Sequence, residues 1–319
     1  MRSVDPSRVT GALSQLGAVG SRMALASARV LELAADPVRQ DLASAVRRSL
    51  GVPGEPIEPA MDPATAFLEP GGVTRRVHAD LPSMLVGGLA ALLLQALHPL
   101  AMAGVAEHSN YADDPHGRLR RTAAFVGVTT YGTKDQAREA IEQVRRVHRR
   151  VRGIAPDGRP YAADDPELIT WVHSAEMWSF LRAVQKYGPV RFSRAECDAY
   201  FAESAVVAYE LGAHWVPRSV DEMTAYLRRV RTDLYAGPQA REARDFLLRG
   251  VGRRPEDRAV HMVLVAAAVG ILPGWARAEL GIPWPPLFDE LVVAPTARAL
   301  CSALRWALAP GRSPNAPAA

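Results

Sequence analysis

The sequence predicts an all-α protein: a single large helical domain with an extension in front of it and a short tail behind. Three observations point there. Helix start signals recur along the body, the apolar residues between them return at intervals of three and four, and sustained period-two alternation is missing. Thr133-x-x-Gln136, Ser193-x-x-Glu196 and Ser219-x-x-Glu222 each match a capping box, in which a hydroxyl and the side chain three residues later satisfy orphan amides reciprocally. Asp165-Pro166-Glu167 adds an N-cap with proline at the first helical position, and Gly153 and Gly188 fall where helices should stop.

In chain order, residues 1–69 read as an N-terminal extension and Pro-rich linker, and residues 51–72, crowded by Pro53, Pro56, Pro59, Pro63 and Pro70, as a linker or an extended arm. Residues 70–308 form the helical body. Its longest apolar stretch, 84–106, is interrupted by Gln95, His98 and Pro99, which predicts a buried helix and a kink rather than a transmembrane span. A helix follows over 134–152 and another over 166–187, the latter apolar nearly all round and so central. A second apolar run, 260–272, ends at Pro273-Gly274 and reads as core. Residues 309–319 read as a disordered tail, and no repeat of solenoid length is visible.

Composition narrows the function classes. The chain has 319 residues, 48% hydrophobic and 23% charged, the balance of a soluble globular protein. Its net charge of +4 is too small to predict a nucleic-acid partner, which needs a concentrated basic patch. Only Lys134 and Lys186 are lysines, so the basic side is almost wholly arginine, the better planar binder of carboxylate or phosphate. Two cysteines, Cys197 and Cys301, cannot build a disulfide scaffold or a Cys-rich metal site. With no secretion pattern at the N-terminus, a cytoplasmic location is expected, and peripheral membrane contact stays compatible. Oligomeric state is not legible.

Among eight histidines, His148 stands out. On a helix over 134–152, at about 100° per residue, Ala137, Ala140, Ile141, Val144, Val147 and Val151 form one apolar arc, and His148 falls inside it. An imidazole there needs a hydrogen bond, a metal or a cofactor. Taken alone, a core histidine bonded to a backbone carbonyl is the simpler reading. Arg145 and Arg152, one turn either side, favour a buried dianionic ligand, haem propionates or phosphate alike. Arg146, Arg149 and Arg150 point away, as a solvated face.

Arg118-x-x-Arg121-Thr122, followed by Phe125 and Thr129, places two guanidiniums, a hydroxyl and an aromatic on one helix face, a surface pair by the simpler reading and a half-buried site by the sharper one. His173 shares a side of the central helix with Ile169, Met177 and Phe180, either as a satisfied core histidine or as a pocket residue. The chain lacks His-Glu-x-x-His, Gly-x-Ser-x-Gly, a Walker loop and Gly-x-Gly-x-x-Gly. No histidine has a glutamate three residues before it, which disfavours a ferritin-type di-iron site.

As a set, His78-Ala79-Asp80, Gln95-Ala96-Leu97-His98-Pro99, Arg118-Leu119-Arg120-Arg121-Thr122, Arg145-x-x-His148-x-x-x-Arg152-Gly153, Tyr161, Asp165-Pro166-Glu167-Leu168 and Trp171-Val172-His173 resemble the MpaB-type oxygenases and rubber oxygenases (latex clearing proteins). The resemblance runs over about residues 78–308. It implies a globin-related helical core holding haem b, with His148 as the iron ligand and Arg145, Arg152 and His173 as further cofactor-binding residues. It also implies that Arg118, Arg121 and Thr122 are distal, catalytic positions. Arg121 stands where the rubber enzymes carry a lysine; arginine cannot readily ligate iron or act as a base, so here it is expected to donate a hydrogen bond to bound oxygen or to a propionate. The implied partners are O2 and a small unsaturated, isoprenoid-like apolar substrate, cleaved oxidatively at a C=C bond. The alternatives are a haem-binding sensor or carrier without turnover and a non-haem helical protein that binds an anion.

Overall fold

Asp80, His98, Thr133, Asp165, Ser193 and Ser219 each accept a hydrogen bond from a backbone amide at the start of a helix, so side-chain chemistry places many of the chain's turns. The computed structural model describes residues 58–109, 115–249, 255–285 and 287–308, with backbone only for 115–119 and 256. Residues 45–305 form one compact unit, and of the second unit, 1–44 and 306–319, only 306–308 are described. The expected disordered tail and the extension as far as residue 57 lie outside the described residues.

The described residues form twelve α-helices and one two-stranded hairpin, as the all-α reading requires. The helices are α1 (Val73–His78), α2 (Leu81–Gln95), α3 (Pro99–His108), α4 (Pro115–Tyr131), α5 (Lys134–His148), α6 (Pro166–Tyr187), α7 (Arg194–Leu211), α8 (Val220–Val230), α9 (Pro238–Leu248), α10 (Pro255–Ile271), α11 (Gly274–Glu279) and α12 (Ala294–Leu308). Strands β1 (Arg152–Ile154) and β2 (Pro160–Ala162) pair antiparallel between α5 and α6.

The core is built on α6. Its most extensive partner is α2, and Trp171, Phe180, Val184 and Tyr187 pack there with Leu89, Leu93 and Leu94. Close approach is required at Gly87, where a Cβ would come within 2.8 Å of Phe180 Cδ1 and 2.9 Å of its Cα. α10 packs against both α2 and α6, with Leu264, Ala267, Ala268 and Ile271 in the core, as expected of a core run. The kink expected at Pro99 is a 105° bend between α2 and α3, with His98 Nδ1 accepting from Ala101 N. By length and composition alone, the bent pair α2–α3 and the segment Asp289–Leu308 also pass as candidate membrane spans among the described residues. α2 is nevertheless a core helix, whereas only 33% of the later window is buried.

Helix α1 is too short to be stable alone. Two residues of α7 hold it: the Glu203 carboxylate accepts from Val73 N and Thr74 N, and one turn earlier the Tyr200 hydroxyl meets His78 Nε2 at 3.0 Å. Of the two readings of residues 51–72, a linker or an extended arm, the stretch 60–67 behaves as an arm. That stretch is tied to the α4–α5 turn by Ala60 N to Tyr131 O, Phe67 N to Gly132 O and Lys134 N to Thr65 O.

Two expectations are corrected. The helix carrying His148 ends at that residue rather than at 152, because Val151 and Arg152 turn into the hairpin, where Ala163 N bonds Val151 O and Arg152 pairs with Ala162. Gly153 is therefore no helix stop. It is a strand residue crossed by Tyr161, whose hydroxyl would lie 2.5 Å from a Cβ there. The third capping box is half formed: Ser219 Oγ accepts from Glu222 N, but the Glu222 carboxylate turns to Arg218 N.

Candidate functional site

His148 is the last residue of α5, on the same side as buried Ala137 and Ile141. Both Thr133 and Gln136 complete the box that starts this helix, so its register, and with it the face His148 occupies, is fixed from the N-terminal end. α5 packs against α4 and α7. The arc is less buried than its sequence suggests, since Val144 is half-buried and Val147 is 54% exposed. His148 is half-buried, and its Nδ1 is enclosed without a hydrogen-bond partner. Burial lowers its pKa, against the pull of the Asp164 carboxylate, so the neutral imidazole is favoured. The simpler expectation, a core histidine bonded to a backbone carbonyl, is not what the structure contains: no such bond is made.

The two flanking arginines differ. Arg152 lies on β1, not on the helix of His148, and its Nη2 is bidentate on Asp164 at 3.0 and 2.7 Å while Nε donates to Arg149 O. Arg145 has only a 3.8 Å contact with Glu142, whose carboxylate is engaged at 2.9 Å by Arg149. Arg145 is thus the guanidinium with the greater capacity to take up an anion. Arg146, Arg149 and Arg150 are exposed, as expected of a solvated face.

On α4, Arg121 and Thr122 are exposed and Phe125 is half-buried. The side chain of Arg118 lies outside the described residues. Thr129 is buried, with its hydroxyl donating to Phe125 O.

His173 belongs to a second group, between α1, α6 and α7. It is 7% exposed and makes no hydrogen bond, and burial lowers its pKa to about 4. His78 beside it is fully engaged: Nδ1 meets Thr130 Oγ1 at 2.9 Å and Nε2 the Tyr200 hydroxyl, which donates to Met177 Sδ at 3.3 Å. Burial, then the neighbouring His173, lowers the His78 pKa to about 3, which keeps it a neutral structural link. One turn along α6 from His173 sits Glu176, which the sequence reading missed. Its carboxyl makes no hydrogen bond, and burial alone raises its pKa to about 7. The signal for it was a lone carboxylate in the apolar run 168–181 of a central helix. No hydrogen bond or ion pair joins His148 to His173.

Among the described residues no group of three or more His, Cys, Asp or Glu could hold a bare metal ion. A single neutral imidazole with nearby guanidinium suits a cofactor that brings its own remaining ligands. The family model described as ER-bound oxygenase mpaB/B'/rubber oxygenase, catalytic domain, matches residues 75–306. The chain belongs to that family. It is therefore an oxygenase catalytic domain, and the match covers every helix from α2 to α11 together with His148, His173 and Glu176. No curated protein and no solved structure matches this oxygenase domain.

Proposed function

We propose that this oxygenase domain depends on haem b and acts with O2 on a small, unsaturated, isoprenoid-like apolar substrate, cleaving it oxidatively at a C=C bond. One observation carries the cofactor reading: Nδ1 of the half-buried His148 is enclosed without a hydrogen-bond partner, and burial favours the neutral form of the ring. Such a group costs stability unless something fills its valence, and neutral imidazole is the form that ligates iron.

When bound, haem supplies an iron that binds and activates O2. His148 would hold that iron. Arg145 would take up a propionate, since its only carboxylate contact is long, while Arg152 keeps Asp164 in place beside the histidine. Arg121 and Thr122 carry a guanidinium and a hydroxyl on one exposed turn of α4, donors that would suit an oxygen atom of O2 on the distal side. Arginine donates hydrogen bonds and accepts none, so the role of Arg121 is polarisation rather than proton abstraction.

The test is the absorption spectrum and pyridine haemochrome of protein from haem-replete cells, alongside His148→Ala and Arg121→Ala. About one haem b per chain is expected in the parent, as single-histidine ligation implies, with haem lost in His148→Ala and retained with altered oxygen binding in Arg121→Ala. A protein that stays colourless after haem titration, or a His148→Ala variant with full haem content, would overturn the reading.

A further inference from the structure

Where α6 ends against α12, the surface opens into a cleft of about 370 Å³ lined by Lys186, Gly188, Arg191, Arg298, Ser302 and Arg305. That volume lies in the range of small-molecule sites, roughly 300–1,000 Å³. Four of the lining side chains are cations, and among the described residues no carboxylate lines the cleft. Like charges gather only where something holds them, and here the end of α6 does so. Arg191 Nη1 donates to Gln185 O, Arg298 Nε to Lys186 O at 3.4 Å and Arg305 Nη2 to Tyr187 O, three successive carbonyls of the last helical turn. Capping explains where the guanidiniums sit, yet each such bond takes one N–H of the five that a guanidinium carries.

The charges in the cleft are unequally compensated. Lys186 is bonded to Asp289 and Arg305 to Asp80, which neutralises both. Arg191 and Arg298 are exposed and bonded only to carbonyl oxygens. The negative end of the α6 dipole, about half a charge, leaves their excess standing. Ser302 follows Arg298 by one turn of α12 and precedes Arg305 by another, so its exposed hydroxyl shares their face.

We propose that this cleft binds a phosphate monoester, with Arg191 and Arg298 as its charged donors and Ser302 as a neutral one. A monoester carries nearly two charges and three terminal oxygens at neutral pH, which matches two planar guanidinium forks and a hydroxyl. A carboxylate, with one charge and two oxygens, would answer only one fork. The site is separate from the residues assigned to haem: His148, Arg145 and Arg121 do not line it, and His173 lies about 21 Å from Tyr187 along the α6 axis. The phosphate belongs either to a soluble molecule or to a lipid headgroup. Leu287, Phe288 and Leu291, exposed on either side of the Asp289 that holds Lys186, are the apolar contacts that a lipid would add.

The experiment titrates the purified full chain with glycerol 3-phosphate by calorimetry and, in parallel, sediments it with phosphatidylcholine vesicles lacking or containing phosphatidic acid. Binding in the first arm assigns a soluble ligand; binding only to vesicles that contain phosphatidic acid assigns a headgroup. Either is expected to weaken tenfold or more when Arg191→Gln and Arg298→Gln are combined, since two charge-assisted bonds are lost. Arg228→Gln with Arg241→Gln removes the same charge from exposed positions of α8 and α9 outside the cleft, and should leave binding within about twofold. On the unsubstituted chain, the bound phosphate should also protect Arg191 and Arg298, but not Arg228 and Arg241, from phenylglyoxal. No binding in either arm, equal losses in the two double variants, or no selective protection would each overturn the proposal.

Discussion

Replacing Glu176 by glutamine keeps the shape of the side chain and removes its ionisation. Burial raises the folded-state pKa of this carboxyl from 4.5 to about 7. Each tenfold change in proton affinity is about 1.4 kcal/mol, so ionising Glu176 costs about 3 kcal/mol more inside the fold than in the unfolded chain. Because the pKa is raised, the folded protein holds more protons than the unfolded one between pH 4.5 and about 7. The contribution of Glu176 is therefore intact below pH 4.5 and is lost as pH rises through 7. Glu176→Gln has no such loss. Urea unfolding of both proteins from about pH 4.5 to about pH 8 is expected to give a variant-minus-parent difference that climbs by about 3 kcal/mol, or roughly 6–12 °C in Tm for a domain of this size. Histidine titrations occur in both proteins and cancel in the difference. A difference that stays level across the range would mean that water solvates the carboxylate, and would refute both its burial and the reasoning built on it.

Three further outcomes are expected. Arg305 Nε meets Asp80 Oδ1 at 2.6 Å and Nη2 meets Oδ2 at 2.8 Å, with Asp80 only 8% exposed, so Arg305→Ala should strand a buried carboxylate and cost about 3–5 kcal/mol by chemical denaturation; a loss under about 1 kcal/mol would show the pair to be solvated. Gly87→Ala places a methyl against the backbone of Phe180, and about 1–3 kcal/mol should be lost, with unchanged stability counting against the tight α2–α6 packing. Acidification should weaken the fold through His78, with a pKa of about 3, and His173 and His98, both at about 4. These lowered values leave the stability intact above pH 6.5 and remove it as pH falls toward 4, so His173→Leu should flatten the acid limb of a pH–Tm curve, and an unaltered limb would contradict its burial.

The sequence by itself determined where most helices begin, because a cap is chemistry between residues three apart. Thr133 with Gln136, Ser193 with Glu196, and Asp165 before Pro166 make the bonds that their spacing predicts. It also determined the α2–α3 break, since Pro99 cannot continue a helix, and the face of α5 on which His148 stands. The family motifs were legible for the same reason: they are residue identities in order.

Only the tertiary structure decided where α5 ends. Val151 continues the apolar period of the helix, but pairing of residues 151–154 with 160–163 across Tyr161 outweighs that local preference. It also separated Arg145 from Arg152, equivalent in spacing, by giving one a tight carboxylate partner and the other a long contact. Glu176 was hidden for the most physical of reasons. A glutamate in a helix is unremarkable until the elements around it are known, and the cost of ionising its carboxyl is set by the groups that fold against α6, Tyr200 on α7 among them.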